Sequence, residues 1–201
     1  MTDKSYLNNV YDLDGEDAVR DYYDQWAESY DAEVTGNGYA TPPRCAEALK
    51  AAGLPLDAAL LDMGCGTGLS GAAFAEAGFT VIDGCDLSEG MLEVARRRGI
   101  YRGLYTPDEM PGTAYDAVAA VGVIGAGAGP PELMDTCLKH LRPGGLFVFS
   151  YNDHTLSQPE FPAKLDEVTG GGTARIVSEA RGAHLPALEL ESVVYVLEKT
   201  G

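Results

Sequence analysis

The chain has 201 residues, 45% of them hydrophobic, enough for one ordinary domain with a full core. Lys and Arg total 14 against 31 Asp and Glu, a formal net charge of −17. Such a surface repels phosphate backbones and anionic membranes, which argues against nucleic acid as a substrate and against membrane attachment.

Residues 1–14 carry no clear period. Residues 16–33 are helical by spacing, with Val19, Tyr22, Tyr23, Trp26 and Tyr30 near one face. Gly36-Asn37-Gly38 interrupts, and Pro42-Pro43 opens a second helix through Lys50 that Gly53 ends. Strands are expected at 58–62, 79–83, 100–105, 116–121 and 146–151, with helices near 69–77, 89–98 and 131–140. This alternation predicts a parallel sheet flanked by helices. After Gly170-Gly171-Gly172 the pattern changes: 174–179 and 192–199 read as an antiparallel hairpin at the sheet edge. The uncharged stretch 117–131 is too short and too Gly-rich to span a bilayer. Cys45, Cys65, Cys85 and Cys137 are dispersed, and residues 1–5 show no secretion signal. They read as reduced thiols of a cytoplasmic protein, with no metal site.

Two stretches carry the chemistry. In Leu60-Leu61-Asp62-Met63-Gly64-Cys65-Gly66-Thr67-Gly68 an apolar strand ends on an acid and three glycines follow at alternate positions. Bare backbone there, at a helix N-terminus, suits close approach of a ligand. Gly66-Thr67-Gly68-Leu69-Ser70-Gly71 also satisfies the dinucleotide fingerprint, so the loop alone leaves two cofactors open. Asp86 ends the second strand about 20 residues on, where a carboxylate can accept both hydroxyls of a ribose. Ser88 is placed to cap the next helix.

Together these residues resemble the class I S-adenosylmethionine-dependent methyltransferases of the small-molecule branch. The resemblance rests on Asp62 to Gly68, on Asp86-Leu87-Ser88 with Met91 a turn on, and on Tyr115-Asp116-Ala117-Val118. It also covers Leu141-Arg142-Pro143-Gly144-Gly145 before the fifth strand, and an N-terminal box of Tyr23, Asp24, Trp26 and Tyr30. It runs from about residue 20 to about residue 150. It implies a Rossmann-like α/β fold with a mostly parallel seven-stranded sheet, an antiparallel last strand and helices on both faces. One domain is expected, with residues 1–50 as a helical cap and 55–201 as the core.

The resemblance also implies a site. Gly64, Cys65, Gly66 and Gly68 would offer backbone to the amino-acid tail of S-adenosylmethionine, and Asp62 would hold its ammonium directly or through water. Asp86 would take the ribose, with Leu87 and Met91 against the adenine. Asp108 or Glu109, beside Met110, would receive the adenine amino group. Val121 and Gly122 would face the methionine portion, under a lid bearing Tyr23 and Tyr30. Plainer readings stand beside these. Asp86 could cap a helix, Met91 and the aromatic residues could be core, and Asp24 and Asp31 could be solvated. His140 reads as structural or exposed, and His184 carries no partner signal.

His154, in the loop after the fifth strand, is the candidate proton acceptor. Gly125-Ala126-Gly127-Ala128-Gly129 leaves room above the methyl group where relatives often place His or aromatic side chains. The expected function is methyl transfer to a small-molecule acceptor, with S-adenosylhomocysteine as product. The rivals are a non-catalytic protein that binds this cofactor and an NAD(P)-dependent oxidoreductase.

Overall fold

The structure, a computed structural model, describes residues 15–125 and 127–201, the side chain of Glu16 excepted. Residues 1–14 and Ala126 of the sequence expectations lie outside the described residues. Seven strands form one sheet: β1 (Ala59–Met63), β2 (Val81–Cys85), β3 (Gly103–Tyr105), β4 (Tyr115–Ala120), β5 (Leu141–Asn152), β6 (Ala174–Leu185) and β7 (Leu190–Lys199). Their order is β3-β2-β1-β4-β5-β7-β6. β1 to β5 are mutually parallel, and β7 runs antiparallel to both β5 and β6. β6 therefore points with the first five, and β7 is the one reversed strand.

Among the described residues seven α-helices accompany the sheet: α1 (Glu16–Gly36), α2 (Thr41–Ala51), α3 (Leu69–Glu76), α4 (Glu89–Arg98), α5 (Leu133–His140), α6 (Asp153–Leu156) and α7 (Glu160–Gly170). The central strands are apolar on both sides, as a sheet covered on both faces requires. Alternate residues divide between two cores. Val118, Phe147, Phe149 and Tyr195 pack with Met134 and Leu138 of α5 and with Phe161 and Leu165 of α7. Ala117, Ala119, Val148 and Val196 pack with Cys45 and Leu49 of α2 and Phe74 of α3. The bulky aromatic layer lies on one face and the small residues on the other, so α2 and α3 can approach closely.

The fifth strand begins five residues earlier than the apolar run implied. The register slips between Tyr115 and Ala117 opposite Leu141 and Leu146, so Arg142 to Gly145 form a bulge. A Cβ on Gly145 would lie 2.9 Å from the Arg142 carbonyl and 3.0 Å from that of Asp116, which explains a glycine there. Asp116 secures the bulge by pairing with Arg142 (2.9 Å) and ties β1 in by accepting the Ala59 amide (2.7 Å). The hairpin at the edge is present but longer than expected. α7 was absent from the sequence reading, although Phe161, Leu165 and Val168 have helical spacing and are its buried residues.

Candidate active site

The C-terminal ends of β1, β2 and β4 open into a cleft of about 980 Å³. Gly64 and Gly66 form one wall, with Asp86, Leu87 and Met91 beside them. Met110, Val121 and Gly122 lie across, and Tyr23 and Tyr30 of α1 also line it. These ten residues, all singled out from sequence, thus meet in one place.

The glycine loop is held from several sides. The amides of Gly64 and Cys65 both donate to the Cys85 carbonyl, at 2.7 and 3.0 Å. Asp86 clamps the loop to the end of β2: Oδ2 accepts the Gly66 amide (2.8 Å) and Oδ1 the Ser88 amide (2.9 Å). Burial raises the Asp86 carboxyl above its ordinary range, and those two amides oppose the shift. Ser88 caps α4, its Oγ accepting the Met91 amide at 3.0 Å, so Asp86 is not the cap. Gly64 has φ +69° and Gly66 φ +53°, both in the left-handed region.

Three site residues stand behind the loop and do not line the cleft. Asp62 is fully buried. Its Oδ2 accepts the hydroxyls of Ser70 (2.6 Å) and Tyr101 (2.8 Å). Its Oδ1 is the one buried side-chain oxygen or nitrogen among the described residues with no hydrogen-bond partner. Burial pushes this carboxyl up to about 6, opposed by the two hydroxyls and by the nearby Gly71 amide. Cys65 packs beneath the loop, where a Cβ on Gly84 would lie 2.9 Å from its Sγ. Gly68 (φ +89°) ends the loop and precedes α3. Gly71, third in the dinucleotide fingerprint, makes space for Tyr101, whose hydroxyl would be 2.3 Å from a Cβ there.

The adenine end differs from expectation. Pro107–Glu109 is a single 3-10 turn closed on itself: the Glu109 carboxylate accepts the Thr106 amide at 3.5 Å. Asp108 and Glu109 are exposed and outside the cleft lining, and Pro107 and Met110 supply apolar contact instead.

His154 is also displaced from the site. It sits on the exposed side of α6, with its Nε2 3.4 Å from the Gln158 amide nitrogen, and lines neither the cleft nor the chamber beside it. The backbone turns into α6 directly after β5, capped by Asn152 Oδ1 on the Thr155 amide (2.9 Å), and this carries His154 outward.

Gly125, Gly127, Ala128 and Gly129 after β4 line the cleft, but at Gly122 and Gly125 the side where a Cβ would stand is filled from elsewhere in the chain. A Cβ on Gly122 would lie 2.6 Å from the Tyr39 hydroxyl, and one on Gly125 would lie 2.5 Å from Thr155 Oγ1. These positions admit polar side chains from elsewhere in the chain. They border a chamber of about 70 Å³ that shares Tyr23, Tyr30, Gly122, Gly125 and Ala128 with the cleft.

α1 lies against α4 and the glycine loop. Asp24 accepts the Ser88 hydroxyl and the Gly90 amide (3.0 Å), and Asp31 accepts the Thr67 hydroxyl and pairs with Arg98. The Arg98 guanidinium also donates to the Thr67 carbonyl at 2.6 Å. The two acids taken as solvated are thus anchors. Trp26 is fully buried and packs with Tyr23, Tyr30 and Tyr39. Tyr23 and Tyr30 are both packed in this cluster and cleft-lining, so neither of their two readings excludes the other.

The strand order, the single reversed strand, the glycine loop and the ribose-type acid at the second strand define a Rossmann-like methyltransferase fold. Residues 39–188 match the methyltransferase domain family, and the chain belongs to that family. It is 38% identical over 137 residues to human methyltransferase-like protein 27, covering 62% of this chain and 54% of that protein. It is 36% identical over 107 residues to the ubiquinone biosynthesis O-methyltransferase of Caulobacter sp. (strain K31), covering 48% and 42%. The chain thus spans about half the length of the curated relatives it matches.

Solved structures share the fold. A methyltransferase in complex with the Trm112 methyltransferase activator of Haloferax volcanii aligns with TM-score 0.69 at 17% identity, over 91% of this chain and 98% of the other. The magnesium protoporphyrin IX methyltransferase of Synechocystis, with bound S-adenosylhomocysteine, gives 0.65 at 17%, over 97% and 93%. No described helix is long and apolar enough to cross a membrane, and no group of three or more His, Cys, Asp or Glu gathers as a metal site among the described residues.

Proposed function

We propose that the chain transfers the methyl group of S-adenosylmethionine to a small-molecule acceptor and releases S-adenosylhomocysteine. The observation that carries this reading is the pair of acids around one glycine loop. Asp86 is clamped across the Gly66 and Ser88 amides at the cleft, and Asp62 lies behind the loop with an unpaired oxygen. Each carboxylate oxygen of Asp86 keeps a lone pair for a ribose hydroxyl. Leu87, Met91 and Met110 hold the adenine, and the backbone at Gly64 and Gly66 meets the amino-acid tail. Asp62, behind the loop and outside the cleft lining, balances the tail's ammonium through a water, which gives its orphan oxygen a partner. Tyr23 and Tyr30 close over the methionine portion opposite Val121 and Gly122.

The cofactor supplies an electrophilic methyl on a sulfonium. The chain's own contribution is then alignment, worth roughly 7–11 kcal/mol in favourable cases. The −17 charge disfavours nucleic acid as acceptor, and the O-methyltransferases of ubiquinone biosynthesis among the relatives favour a small molecule. Four buried, unpaired thiols fit a reducing, cytoplasmic setting.

Calorimetric titration with S-adenosylmethionine, S-adenosylhomocysteine and NAD tests the reading. Both sulfur nucleotides should bind and NAD should not. Asp86→Ala should weaken binding by about 10²-fold or more, since it removes hydrogen bonds to a charged acceptor. NAD binding alone would move the chain to the oxidoreductases. Product release with any acceptor excludes a purely cofactor-sensing role.

A further inference from the structure

Between α2 and the C-terminal hairpin lies a buried polar relay that cofactor binding does not use. His184, near the end of β6, is 7% exposed. Its Nδ1 is 2.8 Å from Thr41 Oγ1, which is 3.1 Å from Ser192 Oγ on β7. Arg44 fixes the far end, donating to Ser192 Oγ (2.8 Å) and to the carbonyls of Ala183 (2.8 Å) and Ala180 (2.7 Å). The Tyr39 ring meets the imidazole edge-on at 5.5 Å. Three elements therefore hold one imidazole by one nitrogen. The other nitrogen, Nε2, makes no hydrogen bond with a described residue and, unlike Asp62 Oδ1, is not sealed from solvent, and His184 lines the small chamber that shares its wall with the cleft.

The lining of that chamber selects a chemistry. Among the described residues it contains hydroxyls, one amide, aromatic rings and the imidazole, and no Asp, Glu, Lys or Arg. An ammonium would find no counterion there, whereas a neutral hydroxyl finds acceptors and donors. At about 70 Å³ the chamber admits only the reacting end of a molecule, and the body of the acceptor would lie in the larger cleft.

We infer that His184 is the residue that takes the proton of the acceptor, and that the acceptor presents a neutral phenolic or enolic hydroxyl in this chamber. The inference rests on the proposed methyltransferase function. In the step, the oxygen–methyl bond forms as the sulfur–methyl bond breaks, and sulfur keeps that electron pair as a neutral thioether. The hydroxyl proton passes to His184 Nε2, and the imidazolium returns it to solvent after product leaves. Charge in the cleft is conserved, because the sulfonium disappears as the imidazolium forms. That balance answers the main objection to a buried base. Burial, then Arg44, lower His184 to about 4, which keeps its lone pair free but makes it a weak base on its own. Proton transfer is driven by loss of the neighbouring positive charge in the same step. When Nδ1 carries hydrogen, it can donate to Thr41 and orient the ring.

The test follows the His184 nitrogens by long-range proton–nitrogen NMR in the complex with S-adenosylhomocysteine, adding phenol, nitrocatechol or benzylamine. Turnover of S-adenosylmethionine with each probe is then measured for the protein and for His184→Gln. The hydroxylic probes should shift Nε2 and benzylamine should not. His184→Gln should bind S-adenosylhomocysteine as tightly as the parent while losing roughly 10²- to 10⁴-fold in kcat. No Nε2 shift with any hydroxylic probe, preferred methylation of the amine, or unchanged kcat in the variant would each overturn the inference. If the variant fails to fold, the Nε2 shift in the parent decides. Failure of the parent to bind S-adenosylhomocysteine is a separate result that removes the underlying reading and the inference with it.

Discussion

At the scale of single residues, two glycines in one loop have opposite reasons to be glycine. Gly64 is at φ +69°, and a Cβ there would lie 2.3 Å from Cγ2 of the half-buried Val123. Gly66 is at φ +53°, and a Cβ there would meet nothing within 4 Å, because its outer side is the cleft. Gly64→Ala should therefore cost about 2–4 kcal/mol of stability through clash and backbone strain. Gly66→Ala should cost only about 1 kcal/mol of stability, from the left-handed backbone alone. Its main effect should be on cofactor affinity. Denaturant melts paired with calorimetry on the two variants separate the cases. The sequence placed both glycines in the loop; it could not distinguish them, since their difference lies in what the loop after β4 and the cleft put beside each one.

At the scale of elements, α1 shows how a periodic pattern can mislead about its polar side. The aromatic stripe of Tyr23, Trp26 and Tyr30 was visible from spacing, and it does form a buried cluster. Asp24 and Asp31 fell off that stripe and read as solvated. They are buttresses because α1 crosses α4 and the glycine loop, whose own polar groups need acceptors. Replacing both with Ala should release α1 while leaving the sheet intact. Amide exchange over residues 16–36 should accelerate by about an order of magnitude or more, consistent with loss of contacts worth a few kcal/mol. Exchange in β1, β4 and β5 should change little. S-adenosylhomocysteine should slow exchange in α1 of the parent, since Tyr23 and Tyr30 line the cleft. Faster exchange in the central strands of the variant would instead make α1 part of the cooperative core. α7 makes the complementary point: its Phe161, Leu165 and Val168 carry a readable period, but Pro162 obscured it by sitting in the first turn, where helices tolerate proline.

At the scale of the whole molecule, two buried groups set opposing dependences of stability on pH. Asp62 is raised in the folded state, from an ordinary 3.8 to about 6. The folded protein therefore holds this proton more tightly, and stability is lost as pH rises from about 4 to 6. His184 is depressed, from 6.5 to about 4, by burial and Arg44, with Asp153 opposing. Its contribution is present above pH 6.5 and is lost as pH falls toward 4. Each shift corresponds to about 3 kcal/mol, so the two largely cancel over the shared window. Urea melts between about pH 4 and 6.5 should then be nearly flat for these two groups in the parent. His184→Gln should gain stability on acidification relative to it, and Asp62→Asn should lose stability. Parallel slopes in all three proteins would show that neither group titrates as its burial implies.

The sequence by itself determined the fold and brought one half of the candidate site into view. The alternating strands and helices, the acid-ended first strand, the glycine loop and Asp86 are local signals, because each depends on neighbours in the chain or on one crossover. Their order alone requires a doubly wound sheet with a ligand at its C-terminal edge. Only the tertiary structure decided the other half. His184 reaches the chamber because β7 reverses and brings β6 beside α2, 143 residues away in sequence from Thr41. His154 leaves the site because one helical turn after β5 carries it outward. The proposed cofactor contacts, made by a loop and its own strand, are written in spacing, whereas the proposed proton acceptor, held by three distant elements, has no spacing to read.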